Sequence, residues 1–549
     1  MTPANPEQTF PKLTDAQIAR LEPWGDERQT SAGEVLFNVG RSNLSLFVVL
    51  EGSIEIVSPA PNGERLVVTH EPGQFTGEVN MISGRPSMVL ARTPTPSKLI
   101  EISPANLRRI LQSESELADI FLRAYVLRRA ALISSNIGDV VLVGSSHSSD
   151  TLRLRAFLTR NAHPHTYLDV ERDTGIQELL DHFGVRVDEI PVLICGGSNV
   201  MRNPSNGQAA ICLGLNPKVD GATVYDVVIV GAGPSGLAAA VYGASEGLKI
   251  LTLETNAPGG QAGSSSRIEN YLGFPLGVSG QELADRAFVQ AQKFGAQVNI
   301  ANPAKSIVCA GQPFAIDLMC GETIHSRAVV IAAGAQYRKL PLPNLAKFEG
   351  VGVYYGATNV EAQLCERDEV VIVGGGNSAG QAAIFLAGRA SHVHLVVRGP
   401  GLSDTMSRYL IQRIEESPMI TLRPFTEIES IDGEDHLECV RWRNSKTGQG
   451  ETRAIRHLFL MTGAAPNTAW LKGCVVLDDK QFIKTGMDLT ADELARAKWP
   501  LRRPPFLLET SMPRVFAVGD VRSGSVKRVA AAVGEGSTAI QLVHRALAE

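Results

Sequence analysis

Short apolar runs bounded by turn residues fill the first hundred positions of the chain. EVLFNVG, LSLFVVLEGSIEIV, RLVVTHEP and SKLIEIS are separated by EG, PNG and PG, which predicts a series of short strands. Over residues 104–134 the apolar positions recur every three or four residues, which predicts a helix. We therefore expect a small β-roll closed by a helix over residues 13–135.

A different pattern covers residues 139–216. The buried-strand run DVVLVGS is followed by a helical stretch, DTLRLRAFLTRN, then by the strand HTYLDVE and the helix IQELLDHFG. Pro191 stands at the start of a further strand, in IPVLICGG. Alternation of strands and helices predicts a small α/β module.

From residue 224 the pattern is strand, glycine-rich turn, helix and strand. This pattern is first seen in YDVVIVGAGPSGLAAAVYGASEGLKILTLE. It recurs at 369–398 in EVVIVGGGNSAGQAAIFLAGRASHVHLVVR. The repeat predicts two Rossmann-like dinucleotide-binding domains.

The first glycine loop, Gly231-x-Gly233-x-x-Gly236, has the context that a pyrophosphate site requires. It follows a strand and opens a helix, so that free N–H groups and the positive helix end face the phosphates. Glu254 closes the second strand, where an acid can bind ribose hydroxyls. The loop therefore predicts a dinucleotide site.

The second loop reads Gly374-x-Gly376-x-x-Ala379, and its second strand ends at Arg398 rather than at an acid. A carboxylate would repel a 2′-phosphate, whereas a guanidinium binds one bidentately. This favours NADPH over NADH.

Composition narrows the class of protein. The 549 residues are 44% hydrophobic and 20% charged with a net charge of −5, which is typical of a globular chain and gives no basic field for nucleic acid. No apolar run is long enough to predict a membrane span, and the polar N-terminus lacks a signal-peptide pattern. We expect a cytoplasmic protein.

The seven cysteines, at 195, 212, 309, 320, 365, 439 and 474, form no CxxC pair. That spacing indicates neither a disulfide framework nor a zinc site. We interpret them as separate, small buried side chains, and we expect no metal.

Several motifs in order give residues 224–549 a resemblance to the low-molecular-weight thioredoxin reductases. Beyond GAGPSG and GGGNSA these motifs are GGQ, IENYLGF, VVIAAGA, MTGAAPN, VFAVGDV and KRVAAAVGEGS. The resemblance implies FAD and NADPH as cofactors, a homodimer, and an FAD domain split into 224–341 and 465–549 around an NADPH domain at 342–464. The implied FAD-binding residues are Gly231, Gly233, Pro234, Ser235, Gly236, Glu254, Gly260, Gln261, Asn270, Gly334, Gly519, Asp520, Arg528, Val529 and Ala530. Those implied for NADPH are Gly374, Gly376, Asn377, Ser378, Ala379 and Arg398.

The chain departs from that family in three places. Gly356 and Asn359, in YYGATN, stand where the family has its two redox cysteines. The family's arginine pair is reduced to Arg398, since Gly399 follows. An additional stretch at 487–508 could form a surface cover or a dimer contact.

The β-roll resembles a cyclic-nucleotide-binding domain, with PGQFTGEVNMISGRPSMVLAR in the place of its phosphate-binding cassette. Gly77 and Glu78 match the residues that meet the cyclic phosphate and the ribose 2′-hydroxyl. Pro86 stands where the cassette has its arginine, with Arg85 one position earlier, and proline cannot bind an anion by its side chain. Two roles therefore stay open for this domain: it binds a cyclic nucleotide, or it has a regulatory or dimerisation role without a ligand.

The module at 139–216 resembles the thioredoxin or glutaredoxin fold, with Pro191 in the place of the cis-proline. GSSHSSD, at 144–150, replaces its CxxC, so the dithiol chemistry of that fold cannot occur there. Cys195 and Cys212 lie 17 residues apart; we interpret them as separate core thiols, with a pair as the alternative.

Three functions remain open. The first is an FAD-dependent NADPH oxidoreductase that passes electrons to an unidentified acceptor without an internal dithiol. The second is a disulfide reductase that uses Cys365 or external thiols. The third is a redox sensor that reads flavin and nucleotide as ligands, and no catalytic side chain is assigned in any of the three.

Overall fold

The computed structural model describes residues 6–60, 63–77, 80–134, 140–173, 176–196, 199–216, 221–309, 311–471 and 473–549. Glu78, matched above to a ribose contact, lies outside these residues. The chain divides into two compact units, one of residues 1–145, 157–220 and 288–301 and the other of residues 146–156, 221–287 and 302–549. In the described part of the chain no helix has the length and apolar character needed to cross a bilayer. The five predicted domain boundaries remain predictions.

Antiparallel strands and helices form the N-terminal segment. The strands are β1 (Asp26–Thr30), β2 (Glu34–Phe37), β3 (Leu46–Glu51), β4 (Ile54–Ala60), β5 (Gly63–His70), β6 (Leu90–Thr93) and β7 (Ser97–Ile102). The helices are α1 (Pro6–Thr9), α2 (Asp15–Leu21), α3 (Asn80–Ser83), α4 (Pro104–Ser113) and α5 (Ser115–Ser134). One sheet has the order β1-β7-β3 and the other β2-β6-β4-β5.

The core of this segment lies between the strands and α5. Phe75 and Phe121 pack edge to face with ring centroids 4.7 Å apart, and Phe47 and Tyr125 belong to the same buried cluster. The predicted single helix is two helices, because Glu114 leaves the helical backbone at φ −108°, ψ 83°.

The next segment is a four-stranded sheet with three helices. Its elements are β8 (Val140–Gly144), α6 (Ser149–Arg160), β9 (Thr166–Asp169), α7 (Ile176–His182), β10 (Val192–Cys195), β11 (Asn199–Arg202) and α8 (Asn206–Cys212). The order is β11-β10-β8-β9, with β8 and β9 parallel and β10 antiparallel to both neighbours. The Ile190–Pro191 peptide bond is cis. The sequence pattern missed β11 and α8, although Ser205 and Gln208 form a capping box at the start of α8.

The first dinucleotide-binding fold begins at β12. Its elements are β12 (Val224–Val230), α9 (Pro234–Ser245), β13 (Ile250–Glu254), α10 (Gly280–Lys293), β14 (Gln297–Ile300), β15 (Ala304–Val308), β16 (Phe314–Leu318), β17 (Thr323–Ile331) and β18 (Ala335–Tyr337). β12 lies between β13 and β17 and is parallel to both, which explains the continuous apolar run of a strand covered on both faces.

The second dinucleotide-binding fold follows. Its elements are α11 (Leu345–Phe348), β19 (Val353–Tyr354), α12 (Asn359–Leu364), β20 (Glu369–Val373), α13 (Asn377–Ala387), β21 (His392–Val396), α14 (Arg408–Glu416), β22 (Ile420–Arg423), β23 (Thr426–Asp432), β24 (Cys439–Asn444), β25 (Gly450–Arg453) and β26 (His457–Leu460). The parallel sheet has the order β19-β26-β20-β21-β22, and β23, β24 and β25 form a separate antiparallel sheet.

The remaining chain returns to the first of these folds. Its elements are β27 (Ala464–Pro466), α15 (Ala491–Arg496), β28 (Val515–Ala517) and α16 (Val529–Leu547). β27 pairs antiparallel with β18, and β28 pairs parallel with β17. The first dinucleotide-binding fold is therefore assembled from two separate stretches of the chain.

The additional stretch at 487–508 is held to this returning segment by Arg503. Its guanidinium contacts the fully buried Glu509 at 2.6 Å and Glu549 at 2.6 Å, and its carbonyl accepts from the Trp499 indole at 2.7 Å. The stretch therefore covers part of its own chain, and the dimer contact remains a prediction.

Candidate active site

The first glycine loop is built so that only glycine fits at two of its positions. Gly231 has φ +109°, and a Cβ there would lie 2.3 Å from the Ala332 carbonyl oxygen. A Cβ on Gly236 would lie 1.8 Å from the Gly231 carbonyl oxygen. The tight turn places Gly233 as the N-cap of α9, with Pro234 and Ser235 in its first turn and the helix N-terminus facing outward.

A second backbone segment approaches this loop. The Gly259 N–H donates to the Ala232 carbonyl at 2.7 Å, and a Cβ on Gly260 would lie 3.1 Å from the Cα of Gly233. Gln261 follows directly and is exposed. Two stretches of backbone without side chains thus pack closely together beside the glycine loop.

Glu254 has a role that the sequence did not reveal. Its buried carboxylate accepts from the Ala232 N–H at 2.7 Å and from the Asn256 N–H at 3.0 Å. It therefore braces the glycine loop, and its remaining lone pairs can accept from ribose hydroxyls.

The returning segment brings Asp520 to the same place. A Cβ on Gly519 would lie 2.6 Å from Ser235 Oγ, and one on Gly536, in α16, would lie 2.2 Å from the Ser235 carbonyl oxygen. α16 begins after its N-cap, Arg528, with Val529 and Ala530 as its first residues.

Burial raises the pKa of Asp520; Lys527 lowers it and Glu535 raises it further. Glu535, which sequence reasoning missed, also accepts from the Gly519 N–H at 2.6 Å. This hydrogen bond fixes the turn that carries Asp520.

Gly334 and Asn270 are two further residues that were predicted to bind FAD. Gly334 has φ +64°, and its carbonyl accepts from the Asn467 N–H at 3.1 Å, while the Asn467 side chain donates to the Ala333 carbonyl at 2.8 Å. Asn467, in the MTGAAPN motif, therefore holds the end of β17 beside the loop. Asn270 is exposed and has no hydrogen bond to any described residue.

The second glycine loop repeats the first. Gly374 has φ +149°, a Cβ there would lie 2.3 Å from the Met461 carbonyl oxygen, and Gly376 caps α13. The Asn377 side chain accepts from the Ser407 N–H at 2.8 Å, and Thr405 donates to the Gly375 carbonyl at 2.6 Å.

Ala379 is fully buried behind this loop, where a larger side chain would not fit. Thr405 and Ser407 position the loop, yet they lie in LSDTMS, which has no recognisable motif. Sequence reasoning therefore missed both.

Arg398 follows β21 and is exposed. Among the described residues it has neither a hydrogen bond nor an ion pair, so its guanidinium is available to a phosphate.

Tyr337 lies near Ser378 of the second glycine loop and near Asp520 of the returning segment. Burial raises the pKa of the Tyr337 phenol, its hydrogen bond with Ser378 lowers the pKa, and the Asp520 carboxylate raises it. Arg413, on α14, also pairs with Glu269 of the IENYLGF segment at 2.6 Å. These contacts join the two dinucleotide-binding folds.

Four of the seven cysteines form two disulfides. Cys195 is bonded to Cys212 and Cys309 to Cys474, so the prediction of separate thiols is wrong for these four. Cys320, Cys365 and Cys439 are free. The first disulfide joins β10 with α8 and the second joins two segments 165 residues apart, and spacing in the sequence reveals neither pairing.

The segment in the place of the redox cysteines faces the FAD-binding fold. A Cβ on Gly356 would lie 3.7 Å from the Cβ of Ser264, three residues after Gln261. Thr358 caps α12 in a capping box with Glu361, and Asn359 is the first helical residue.

Cys365 ends this segment and is fully buried. Its Sγ donates to the Glu361 carbonyl at 3.1 Å, and burial raises the pKa of the thiol to about 12.

Both loops fit a bound dinucleotide. A Cβ on Gly376 would meet no atom within 4 Å, and one on Gly233 would meet only the Gly260 Cα at 3.9 Å, so the backbone of each loop is open above the helix N-terminus. The carboxylates near the first loop suit hydroxyls, and the arginine near the second suits a phosphate.

Comparison with known proteins agrees with this geometry. Residues 225–536 match the pyridine nucleotide-disulphide oxidoreductase family, and residues 27–114 match the cyclic nucleotide-binding domain. The chain is 32% identical over 335 residues to a thioredoxin reductase of Mycolicibacterium smegmatis, covering 60% of this chain and 98% of the relative. It is 32% identical over 319 residues to one from Treponema pallidum, covering 58% and 95%.

Two solved structures share the fold. Lactococcus lactis thioredoxin reductase, in the FR conformation, has a TM-score of 0.53 and 28% identity and covers 59% of this chain and 99% of its own. The T. acidophilum thioredoxin reductase has a TM-score of 0.52 and 28% identity, covering 58% and 98%. The predicted fold with two dinucleotide-binding domains is thereby confirmed.

The chain belongs to the pyridine nucleotide-disulphide oxidoreductase family. It is an FAD-dependent NADPH oxidoreductase of the thioredoxin-reductase type, with an N-terminal cyclic-nucleotide-binding-like domain.

Proposed function

We propose that this enzyme delivers electrons from NADPH to an external acceptor without an internal dithiol. NADPH supplies a hydride and FAD is the redox centre that receives it, so the protein contributes binding, orientation and electrostatics. The acceptor is another flavin, a quinone, oxygen or a partner protein that reaches the flavin directly.

One observation carries the proposal: neither of the two redox-cysteine positions, in the segment that faces the FAD-binding fold, holds a thiol. Gly356 lies against Ser264, and Asn359 begins α12. A glycine and an asparagine can neither collect electrons nor attack a disulfide.

The free cysteines do not replace the missing pair. Cys365 is buried and its thiol donates to the Glu361 carbonyl. Both observations disfavour the hypothesis that the protein reduces disulfides through Cys365. Cys439 begins β24, in the separate antiparallel sheet, and Cys320 lies in the turn after β16. The redox-sensor hypothesis stays open as a prediction.

The proposal assigns FAD to the Gly231–Gly236 loop, Glu254, Gly260 and Asp520, and the 2′-phosphate of NADPH to Arg398. The open backbone of both loops supports this assignment, as does a guanidinium without a partner among the described residues. We also propose a homodimer, by analogy with the family. The strand order and parallel pair of the second segment support a thioredoxin-like fold there, with GSSHSSD in place of a dithiol.

The test is anaerobic reduction of the purified full-length protein by NADPH, followed by mixing with acceptors. We expect the flavin to bleach and to be reoxidised rapidly by a quinone, oxygen or free flavin, and slowly by thioredoxin. Absence of bleaching, or turnover of thioredoxin at an ordinary enzymatic rate, would contradict the proposal.

A matched variant provides the positive control. Gly356 has no positive φ, and a Cβ added to it would meet Ser264 at the ordinary contact distance of 3.7 Å, so Gly356→Cys is free of backbone strain and of a clash. Gly356→Cys together with Asn359→Cys restores the pair of cysteines. This double variant should gain NADPH-dependent reduction of thioredoxin or of a small aromatic disulfide. Equal activity in the wild type and the double variant would show that the missing pair is not what limits disulfide reduction.

A further inference from the structure

The N-terminal segment encloses a cavity of about 280 Å³ that plays no part in the proposed redox chemistry. Most of its lining is apolar: Phe37, Leu44, Ile56, Met81, Val89 and Leu132. No described aspartate or glutamate lines it. The cavity therefore suits a ligand that is mainly hydrocarbon.

Arg128, on α5, brings a charge into this apolar space. It is only 6% exposed; its Nε donates to the Thr9 carbonyl at 2.9 Å and its Nη1 to the Gly77 carbonyl at 2.9 Å. Its guanidinium lies 4.7 Å from the centre of the Phe75 ring. Nη2 has no hydrogen-bond partner among the described residues. The cation is thus fixed in place with one donor group unused.

The charge of Arg128 persists at neutral pH. Burial lowers the pKa of Arg128 only to about 10, so the guanidinium stays protonated at pH 7. A buried charge without a counterion is costly, and among the described residues the hydrogen-bond and ring partners of Arg128 are two neutral carbonyls and two aromatic rings. A bound anion would remove that cost.

Two further basic side chains line the same cavity. His70 is fully buried, and its Nδ1 has no partner among the described residues. Burial, with the charge of Arg128, lowers the pKa of His70 to about 3, so the imidazole is neutral and offers a hydrogen bond without a second charge. Arg65 is exposed at the cavity lining. The polar groups suit one small anionic end group.

The described residues at the arginine position of the cassette and beside it do not offer an anion contact to a cyclic nucleotide. Pro86, at the arginine position, packs against Gly214, where a Cβ would meet its Cγ at 2.5 Å. The guanidinium of Arg85 lies 5.2 Å from the centre of the Phe288 ring, and Arg85 does not line the cavity. One N–H of the Asn80 amide donates to the Pro86 carbonyl and the Ser87 hydroxyl donates to the Val89 carbonyl, so both side chains are engaged within the loop.

We propose that this cavity binds a small, largely apolar carboxylate, with its carboxylate held by Arg128 and its hydrocarbon body among the aliphatic side chains. We distinguish this ligand from a cyclic nucleotide because the side chain that would hold its anionic group, Arg128, lies on α5 and not in the cassette. The site is independent of the flavin chemistry proposed above.

The test measures binding of sodium octanoate, 1-octanol and cyclic AMP to the full-length protein by titration calorimetry. We expect octanoate to bind and to raise the melting temperature, and octanol, which lacks the charge, to bind at least ~10-fold more weakly. Tighter binding of cyclic AMP than of octanoate would overturn the proposal, as would no binding of octanoate to the folded wild type.

Variants locate the site. Arg128→Met keeps the aliphatic stem and should weaken octanoate binding by at least ~10-fold, because a charge-assisted hydrogen bond is lost. Arg123→Met, at an exposed position of the same helix, is the control and should bind as the wild type does. Since Arg128 also ties Thr9 and Gly77 to α5, Leu132→Phe is a second variant that fills the cavity and should weaken binding in a folded protein. Unchanged affinity in both Arg128→Met and Leu132→Phe would overturn the proposal.

Discussion

The substitution Cys365→Ser should leave NADPH-dependent turnover unchanged with every acceptor. In the structure the thiol points into the core below α12 and donates to the Glu361 carbonyl at 3.1 Å. A serine hydroxyl can make the same hydrogen bond, so we expect a stability loss of about 1 kcal/mol and an intact fold.

The magnitude follows from the acidity of the thiol. With a pKa of about 12 in place of 9.0, Cys365 at pH 7 is thiolate in about one molecule in 10⁵, against about one in 10² for an ordinary thiol. A more basic thiolate is also about 15- to 30-fold more nucleophilic, so reactions of Cys365 should be slower by about 30- to 60-fold before the restricted access is counted.

The assay pairs kinetics with labelling. Wild type and Cys365→Ser are compared for NADPH consumption with thioredoxin, a quinone and oxygen, while iodoacetamide labelling of the native protein is followed by mass spectrometry. The exposed Cys320 is the internal reference and should be labelled far sooner than Cys365. Loss of disulfide reduction in Cys365→Ser, or equal labelling of the two thiols, would refute the reasoning.

Three further predictions concern the nucleotide loops and their contact. Arg398→Ala should raise the KM for NADPH by about 10- to 100-fold and leave that for NADH unchanged, since a charged contact to the 2′-phosphate is removed; equal effects on both would contradict the assignment. Gly231→Ala should yield protein with little bound flavin and a lowered melting temperature, because its Cβ would lie 2.3 Å from the Ala332 carbonyl oxygen at φ +109°; normal flavin absorbance would count against this. Arg413→Glu should change the rate of flavin reduction by about 1.5- to 5-fold, the range for a partly exposed ion pair, and Glu269→Arg in the same chain should reverse the change. Additive effects in that double-mutant cycle would show that the pair does not couple the two folds.

The sequence was most informative where local geometry leaves little choice. Both glycine loops could be predicted because a turn at positive φ between a buried strand and a helix admits few residues, and Gly231 and Gly374 occupy those positions. The strands around them could be predicted from continuous apolar runs. The residues that brace the loops could not, since Glu535 and Thr405 reach them only after distant segments have packed.

The disulfides are a second example of contacts between distant segments that the sequence pattern could not predict. Cys195 ends β10 and Cys212 ends α8, and their approach depends on β11 and α8, which no hydrophobic pattern indicated. Cys309 and Cys474 are 165 residues apart and meet because the chain returns to the first dinucleotide-binding fold. Pairing of this kind is a property of the tertiary structure.

The pairing of β28 with β17 has a consequence for the order of events during synthesis. A ribosome makes β12 and β17 early, yet their sheet gains β28 and the crossing of α16 over α9 only some 200 residues later. The sheet from β19 to β26 is continuous in the chain, so it can fold first, while its neighbour waits with one edge unpaired. We expect flavin loading to be a late step of biogenesis, since Asp520 and α16 are made only with the returning segment, and until then part of one edge of β17 is unpaired.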